Sequence, residues 1–206
     1  MNTVKSLRFA CIRCGKCCTD KNTIVNLTYF DILRIKSGLK LNIDEMIDIL
    51  GFYTFDKPLS SEEKKRMTIS PIETERGFAF IGLLKNSLGA CYFYDSNDEK
   101  CLIYNLRPMF CKTFPFSFGI LKKVNNEVNA EIDIFYTEKG KKFCSGIGKD
   151  APFIDKDHWI NLGTRALQEL KKNHNVIKEW NNSVRIGKII PTVKKFLLTI
   201  IKLEDL

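Results

Sequence analysis

The sequence is poor in histidine and has no long apolar stretch. Its 206 residues include only two histidines, His158 and His174, and neither is predicted to bind a metal, because eight cysteines suffice for two sites. The apolar stretch 196–201 near the C-terminus is far shorter than the about 20 residues that cross a bilayer. No membrane association is therefore predicted.

Motifs of common enzyme classes are also missing. The sequence contains no Ser/His/Asp arrangement, no His-Glu-x-x-His motif and no nucleotide-binding fingerprint. It contains no internal repeat either. No catalytic residue is identified, so whether the protein is an enzyme stays open. An enzyme that keeps one open position on a bound metal is one alternative.

A secretion signal is absent as well. Residues 1–10 contain no apolar segment of about 7–15 residues and no small-residue cleavage site. We therefore expect a cytoplasmic protein whose thiols stay reduced. Clustered cysteines in that compartment are more often metal ligands or redox groups than disulfides.

The formal charge of +9 treats the eight cysteines as neutral. If these thiols become thiolates around metal, part of the positive charge is compensation within the protein. The basic residues are scattered along the chain rather than concentrated in one stripe. A nucleic-acid partner is therefore not expected.

The most informative segment is an N-terminal run of four cysteines within eight residues: Cys11, Cys14, Cys17 and Cys18. Two overlapping Cys-x-x-Cys loops can turn sulfurs toward one ion, and Gly15 is free to take a positive φ. Metal binding is favoured, with redox-active thiols or unconnected buried cysteines as alternatives. In an extended backbone Cys17 and Cys18 point to opposite sides. We predict that one joins Cys11 and Cys14 while the other reaches the later cysteines.

Four more cysteines are spread over the following part of the chain. Cys91, Cys101 and Cys111 are too far apart in sequence for one loop, so the fold must gather them. Pro108 can begin a short helix that carries Cys111. Cys144 lies in a glycine-rich turn that permits close backbone approach.

An α+β fold is predicted, in which a small irregular sheet and loops gather the cysteines between packing helices near both ends. The helical regions are 28–50 and 155–203. The first helix begins at Thr28, with Asp31 as its capping-box partner, and is predicted to end at Gly38.

Short strands are predicted between the helical regions. Apolar runs indicate strands at 24–27, 67–72 and 77–84. A hairpin over 118–124 and 128–135 is predicted to turn at Asn125-Asn126.

Two domains are predicted. Residues 1–150 form the metal-binding domain, and residues 151–206 form a helical extension packed on it. The last helix of the extension is predicted to run from 184 to 203 with a kink at Pro191.

The cysteine pattern as a whole resembles one known family. It is similar to the pattern of the YkgJ-like cysteine-cluster family. The matching parts are Cys-x2-Cys-x2-Cys-Cys at 11–18, Cys91, Cys101-Leu-Ile-Tyr-x-x-Arg-Pro-x-x-Cys111 and Cys144-Ser-Gly-Ile-Gly. That family is also described as the CxxCxxCC domain, which chelates zinc or iron. The resemblance covers about residues 9–148 and all eight cysteines. Lys112 departs from it, because the family usually has arginine there.

The resemblance implies a metal or iron–sulfur protein with an unassigned task. An iron–sulfur cluster, of the 4Fe-4S type, is favoured over zinc, because the doublet and the apolar surroundings suit a polynuclear cluster. Arg107 is predicted to lie close to the thiolates or to the carbonyls around the cofactor. The expected role is electron transfer or support of a redox enzyme partner. The alternative is a zinc-stabilised interaction module without redox activity.

Overall fold

In the described part of the chain, three helices precede five short strands, and a short helix and a two-stranded hairpin separate these strands from the last three helices. The structure is a computed structural model that describes residues 7–55, 57, 60, 62, 67–122 and 131–203. In this part of the chain the helices are α1 Lys16–Thr19, α2 Tyr29–Leu39, α3 Ile43–Ile49, α4 Met109–Thr113, α5 Glu138–Phe143, α6 Lys156–Arg185 and α7 Val193–Ile201. The strands are β1 Leu50–Thr54, β2 Ile72–Thr74, β3 Gly77–Leu83, β4 Tyr94–Asp95, β5 Lys100–Cys101, β6 Phe116–Lys122 and β7 Glu131–Tyr136. The predicted α+β class is confirmed.

The largest sheet has three antiparallel strands in the order β1-β3-β2. The predicted strand over 77–84 is confirmed as β3. The strand predicted at 67–72 was placed too early, because Pro71 has no N–H to donate and β2 begins after it. At 24–27 the chain forms only a single bridge, between Asn26 and Gly82.

The predicted hairpin is present as a second sheet. Strands β6 and β7 pair antiparallel, with Phe118 opposite Ile134. Its predicted turn at Asn125-Asn126 lies outside the described residues.

Helix α2 begins as predicted and ends later than predicted. Thr28 and Asp31 form the capping box. Gly38 lies inside the helix, and the helix ends where Lys40 takes a left-handed conformation with φ 56°. A Cβ at Gly38 would lie 2.5 Å from the Leu106 side chain. This glycine therefore serves close packing of the neighbouring turn rather than helix termination.

Among the residues that the structure describes, buried apolar side chains form two clusters. The main cluster joins α2, α3 and the three-stranded sheet to the C-terminal helices, with fully buried Ile35 and Ile200 among its members. The smaller hairpin cluster consists of Leu7, Phe116, Ile134 and Trp159. Because both clusters contain distant parts of the chain, they hold the cysteine-bearing loops between them.

Helix α6 connects the two clusters. Trp159, near its N-terminus, packs in the hairpin cluster, whereas Trp180 packs in the main cluster. The indole Nε1 of Trp180 donates to the Glu73 carbonyl at 2.9 Å. The Asn173 side chain accepts from the Tyr29 N–H at 2.9 Å, near the start of α2.

The prediction of one kinked helix over 184–203 was wrong. Helix α6 ends at Arg185, Gly187 takes a positive φ of 72°, and α7 begins after the N-cap Thr192. Pro191 cannot donate a helical hydrogen bond and disfavours helical geometry before it, which explains two helices instead of one.

The domain boundary at residue 150 stays a prediction. No helix in the described part of the chain is both long and apolar enough to cross a membrane.

Candidate metal centre

All eight cysteines line one cavity of about 410 Å³. The cavity lies between the N-terminal loop, the β4–β5 region, α4, the turn after α5 and the start of α6. Apolar side chains form much of its wall: Phe9, Val25, Leu83, Ile103, Phe114, Phe143 and Trp159. Five basic residues and one acidic residue also line it: Arg13, Lys16, Lys100, Arg107, Lys112 and Glu99.

The N-terminal cysteines occupy a loop and the short helix α1. Gly15 precedes the helix with φ 69°, and a Cβ there would lie 2.2 Å from the Tyr94 hydroxyl. The glycine therefore permits both the turn and the contact with Tyr94. Our expectation of an extended backbone at the doublet was wrong. Cys17 and Cys18 lie in one helical turn, and their sulfurs are 4.0 Å apart.

Cys91 is held beside the doublet by the backbone. Its N–H donates to the Cys18 carbonyl at 2.7 Å. Cys101 follows in β5, opposite Tyr94 of β4. The hairpin therefore brings Cys101 back to the segment that starts at Cys91, as a fold that gathers separated cysteines requires.

Cys111 lies on α4, as predicted, with Pro108 immediately before the helix. The Met109 N–H at the helix start donates to Asp31 Oδ1 at 2.8 Å. Asp31 is fully buried, and its other oxygen accepts from the Thr28 N–H at 2.9 Å. One carboxylate thus caps α2 and also fixes the helix that carries Cys111.

Cys144 directly follows α5, and its turn packs on the N-terminal loop. The Ala10 N–H donates to the Gly146 carbonyl at 3.1 Å. A Cβ at Gly146 would lie 2.2 Å from the Ala10 carbonyl oxygen, so only glycine fits without movement. Lys16 Nζ donates to Ser145 Oγ at 2.8 Å. These contacts bring Cys144 next to the run that contains Cys11.

The two thiols of the doublet shift each other's pKa in opposite directions. The hydrogen bond between the Cys17 and Cys18 thiols lowers the pKa of Cys17 to about 6. The same bond, together with burial, raises the pKa of Cys18. Cys17 is therefore the thiol prepared to act as a thiolate at neutral pH.

Burial raises the pKa of the other cavity thiols for which a shift is resolved: Cys91, Cys101, Cys111 and Cys144. The Arg107 guanidinium opposes this effect and lowers the pKa at Cys101 and Cys111. Because a buried bare thiolate is costly, a bound cation would stabilise the deprotonated form and release these protons.

Arg107 lies in the cavity wall, where it also contacts Tyr104. Its Nε donates to the Tyr104 carbonyl at 3.2 Å, and its guanidinium carbon is 3.9 Å from the Tyr104 ring centre. Arg13 stacks on the same ring at 4.3 Å. This stack joins the N-terminal loop to the segment before α4. A direct role of Arg107 in cofactor binding stays a prediction.

The thiols surround the cavity rather than a single point. Among residues 7–55, 57, 60, 62, 67–122 and 131–203, no three His, Cys, Asp or Glu side chains are arranged closely enough to hold one metal ion. His158 also lines the cavity, at the start of α6, and its ring packs edge-on against Trp159. Our sequence analysis did not identify Trp159 or Tyr94 as site residues, since nothing local distinguishes them from core aromatics.

A cavity lined by eight thiols in a small α+β fold defines a metal-binding cysteine-cluster protein. The family described as "CxxCxxCC: Putative zinc- or iron-chelating domain" matches residues 10–145. The chain belongs to this family. Its description specifies chelation of zinc or iron and no reaction.

A relative of the chain is found in an archaeon. An uncharacterized protein of Methanocaldococcus jannaschii is 26% identical over 145 residues, which are 70% of this chain. The chain spans 60% of the length of that relative. No solved structure matches the chain.

Proposed function

We propose that this protein binds iron–sulfur clusters through its cysteines and transfers single electrons to or from a partner protein. The observation that carries this proposal is the 410 Å³ cavity lined by all eight thiols. When bound, a cluster supplies a reversible one-electron couple. The proposal assigns the protein to a reducing compartment such as the cytoplasm, where the thiols remain available.

The size of the cavity favours a cluster over a single ion. Four thiolates around one zinc ion at about 2.3 Å lie about 3.8 Å from one another and leave no space between them. A cavity of about 410 Å³ can accommodate a polynuclear group. The Cys17–Cys18 sulfur distance of 4.0 Å is the feature that would also suit zinc.

The apolar wall suits an electron-transfer centre. Phe9, Phe114 and Trp159 line the cavity and exclude water from part of the thiol surface. Exclusion of water and nearby charge tune the reduction potential of such a centre. Arg107 supplies positive charge next to thiolates and so stabilises their deprotonated state.

The rim of the cavity suits an acidic redox partner, such as a reduced iron–sulfur or flavin protein that is oxidised as it gives up one electron. Arg13, Lys16 and Lys100 are exposed at the rim. Ile12 also lines the cavity and is 60% exposed. Basic side chains around an exposed apolar residue favour rapid docking of an acidic surface.

Anaerobic purification tests the nature of the metal. We expect iron and acid-labile sulfide in equal amounts and a visible absorption that dithionite bleaches. His174→Ala is the matched control and should keep the full iron content, because His174 does not line the cavity. A colourless protein with stoichiometric zinc would contradict the iron–sulfur proposal and support the zinc-stabilised interaction module.

Ionic strength tests the partner. With an acidic plant-type ferredoxin as probe, we expect the electron-transfer rate to fall as salt rises, and Lys100→Glu to lower it about tenfold at low salt. Lys178→Glu makes the same charge change on the exposed surface of α6, outside the cavity wall, and should have little effect. A rate that is independent of salt and of Lys100 would contradict an acidic partner, while dithionite bleaching would still report the cluster.

A further inference from the structure

All eight thiols line the same cavity. We propose that the cavity holds two metal centres. The outer set consists of Cys11, Cys14, Cys17 and Cys144, and the inner set consists of Cys18, Cys91, Cys101 and Cys111. The inference rests on the proposed metal binding, but it applies to iron–sulfur clusters and to zinc alike.

Contacts of the turn after Cys144 support the outer set. The turn that follows Cys144 hydrogen-bonds to Ala10, the residue before Cys11, through the Gly146 carbonyl at 3.1 Å. On the other side of the same turn, Ser145 accepts from Lys16, the residue before Cys17. The Cys144 turn is thus attached at both ends of the segment that carries the first three cysteines.

A different group of contacts defines the inner set. The Cys91 N–H donates to the Cys18 carbonyl at 2.7 Å, and Cys101 is brought back by the β4–β5 pairing. Cys91 is a buried member of the main apolar cluster, and Cys18 and Cys101 pack against that cluster. Neither Cys111 nor any of the outer cysteines is among the described members of this cluster. Phe110, beside Cys111 on α4, also packs against the main cluster.

The doublet is the point where the two sets meet. The Cys17 and Cys18 sulfurs are 4.0 Å apart, so the two proposed centres would adjoin each other at the doublet. The proximity explains why two adjacent cysteines are useful. One helical turn presents neighbouring ligands to two adjoining centres.

The charges around the cavity are consistent with two centres. Four thiolates with a 2+ ion or cluster carry about −2, so two centres carry about −4. The charged Lys, Arg and Glu side chains in the wall are five basic and one acidic, a net of +4.

Paired cysteine substitutions test the assignment. We expect about eight iron atoms per chain in the wild-type protein and about four in each of Cys144→Ala and Cys101→Ala. A second change in the same set, Cys11→Ala with Cys144→Ala, should leave about four. A change in each set, Cys144→Ala with Cys101→Ala, should remove nearly all of the iron. Circular dichroism identifies any variant that fails to fold.

The wild-type protein supplies an independent measurement. On stepwise reduction, electron paramagnetic resonance should show two signals that broaden each other when both centres are reduced. About four iron atoms per chain, with a single signal and loss of all iron in every single variant, would overturn the two-centre assignment. If the metal is zinc, the iron–sulfur proposal fails. The two sets would still be supported if the wild-type protein holds two zinc ions per chain, variants within one set lose one ion, and the variant with a change in each set loses both.

Discussion

The outer and inner sets differ in how the chain brings their cysteines together. Cys11, Cys14 and Cys17 come from one short segment and are exposed, whereas Cys91 is buried and Cys101 and Cys111 are half-buried on separate elements. The short sequence spacing therefore brings most of the outer cysteines close together, whereas the inner cysteines come together only when the core packs. This difference predicts that the inner set depends on global stability and the outer set on a few surface contacts.

The largest expected effect comes from Asp31, which supports the inner set. Asp31→Ala should destabilise the protein by about 2–4 kcal/mol, because it removes the fully buried carboxylate that accepts from the Thr28 N–H and from the start of α4. Arg34 would keep Glu169 as an ion-pair partner. Chemical denaturation measures the loss, and metal analysis should show that the inner centre empties. Asp44→Ala, which breaks an exposed pair with Lys194, should cost under about 1 kcal/mol. Equal effects of the two changes would contradict the role given to Asp31.

The next effect concerns the outer set. Gly146→Ala should cost about 1–3 kcal/mol, because its Cβ would meet the Ala10 carbonyl at 2.2 Å and force the Cys144 turn away. About half of the metal should be lost with it. Gly148→Ala, two residues on, meets nothing within 4 Å and is the matched control. Full metal retention in the Gly146 variant would show that the outer set tolerates displacement of this turn.

Thiol alkylation compares the two sets directly. In reduced, metal-free protein at pH 7, Cys17 should react about tenfold faster than Cys91 or Cys111. Cys17 is exposed and has a pKa of about 6. Burial raises the pKa of Cys91 and Cys111.

The pH dependence of alkylation should also differ. Between pH 7 and 9 the Cys17 rate should change little, since this thiol is already deprotonated. The rates at Cys91 and Cys111 should rise steadily with pH. Mass spectrometry of peptides from timed reactions gives these rates, and equal rates would remove the distinction between exposed and buried thiols.

The smallest effect is expected at the link between α1 and α5. Lys139 pairs with Asp20 and, together with the Thr23 hydroxyl, lowers the pKa of that carboxyl from 3.8 to about 2. A carboxyl with a lowered pKa stabilises the fold above pH 4, and this contribution is lost only as the pH falls toward 2. Lys139→Met should therefore cost under about 1 kcal/mol, equally at pH 7 and pH 5. A cost that disappears by pH 5 would contradict this account.

The sequence alone determined the kind of chemistry and several local structures. Eight cysteines with few histidines predict sulfur ligation, because the ligand types are limited to what the chain contains. The Thr28–Asp31 capping box and strand β3 also follow from short-range patterns. The capping box and the strand depend on residues only a few positions apart, and local hydrogen bonding or side-chain alternation is sufficient to specify them.

Only the tertiary structure decided which cysteines are neighbours. The sequence suggested opposite directions for Cys17 and Cys18, but a helical turn brings their sulfurs within 4.0 Å. It also did not reveal that Trp159 would line the cavity or that Asp31 would hold the helix carrying Cys111. The contacts of Trp159 with the cavity wall and of Asp31 with α4 join residues far apart in the chain. They depend on how α6 and the two apolar clusters pack, and no local pattern records that packing.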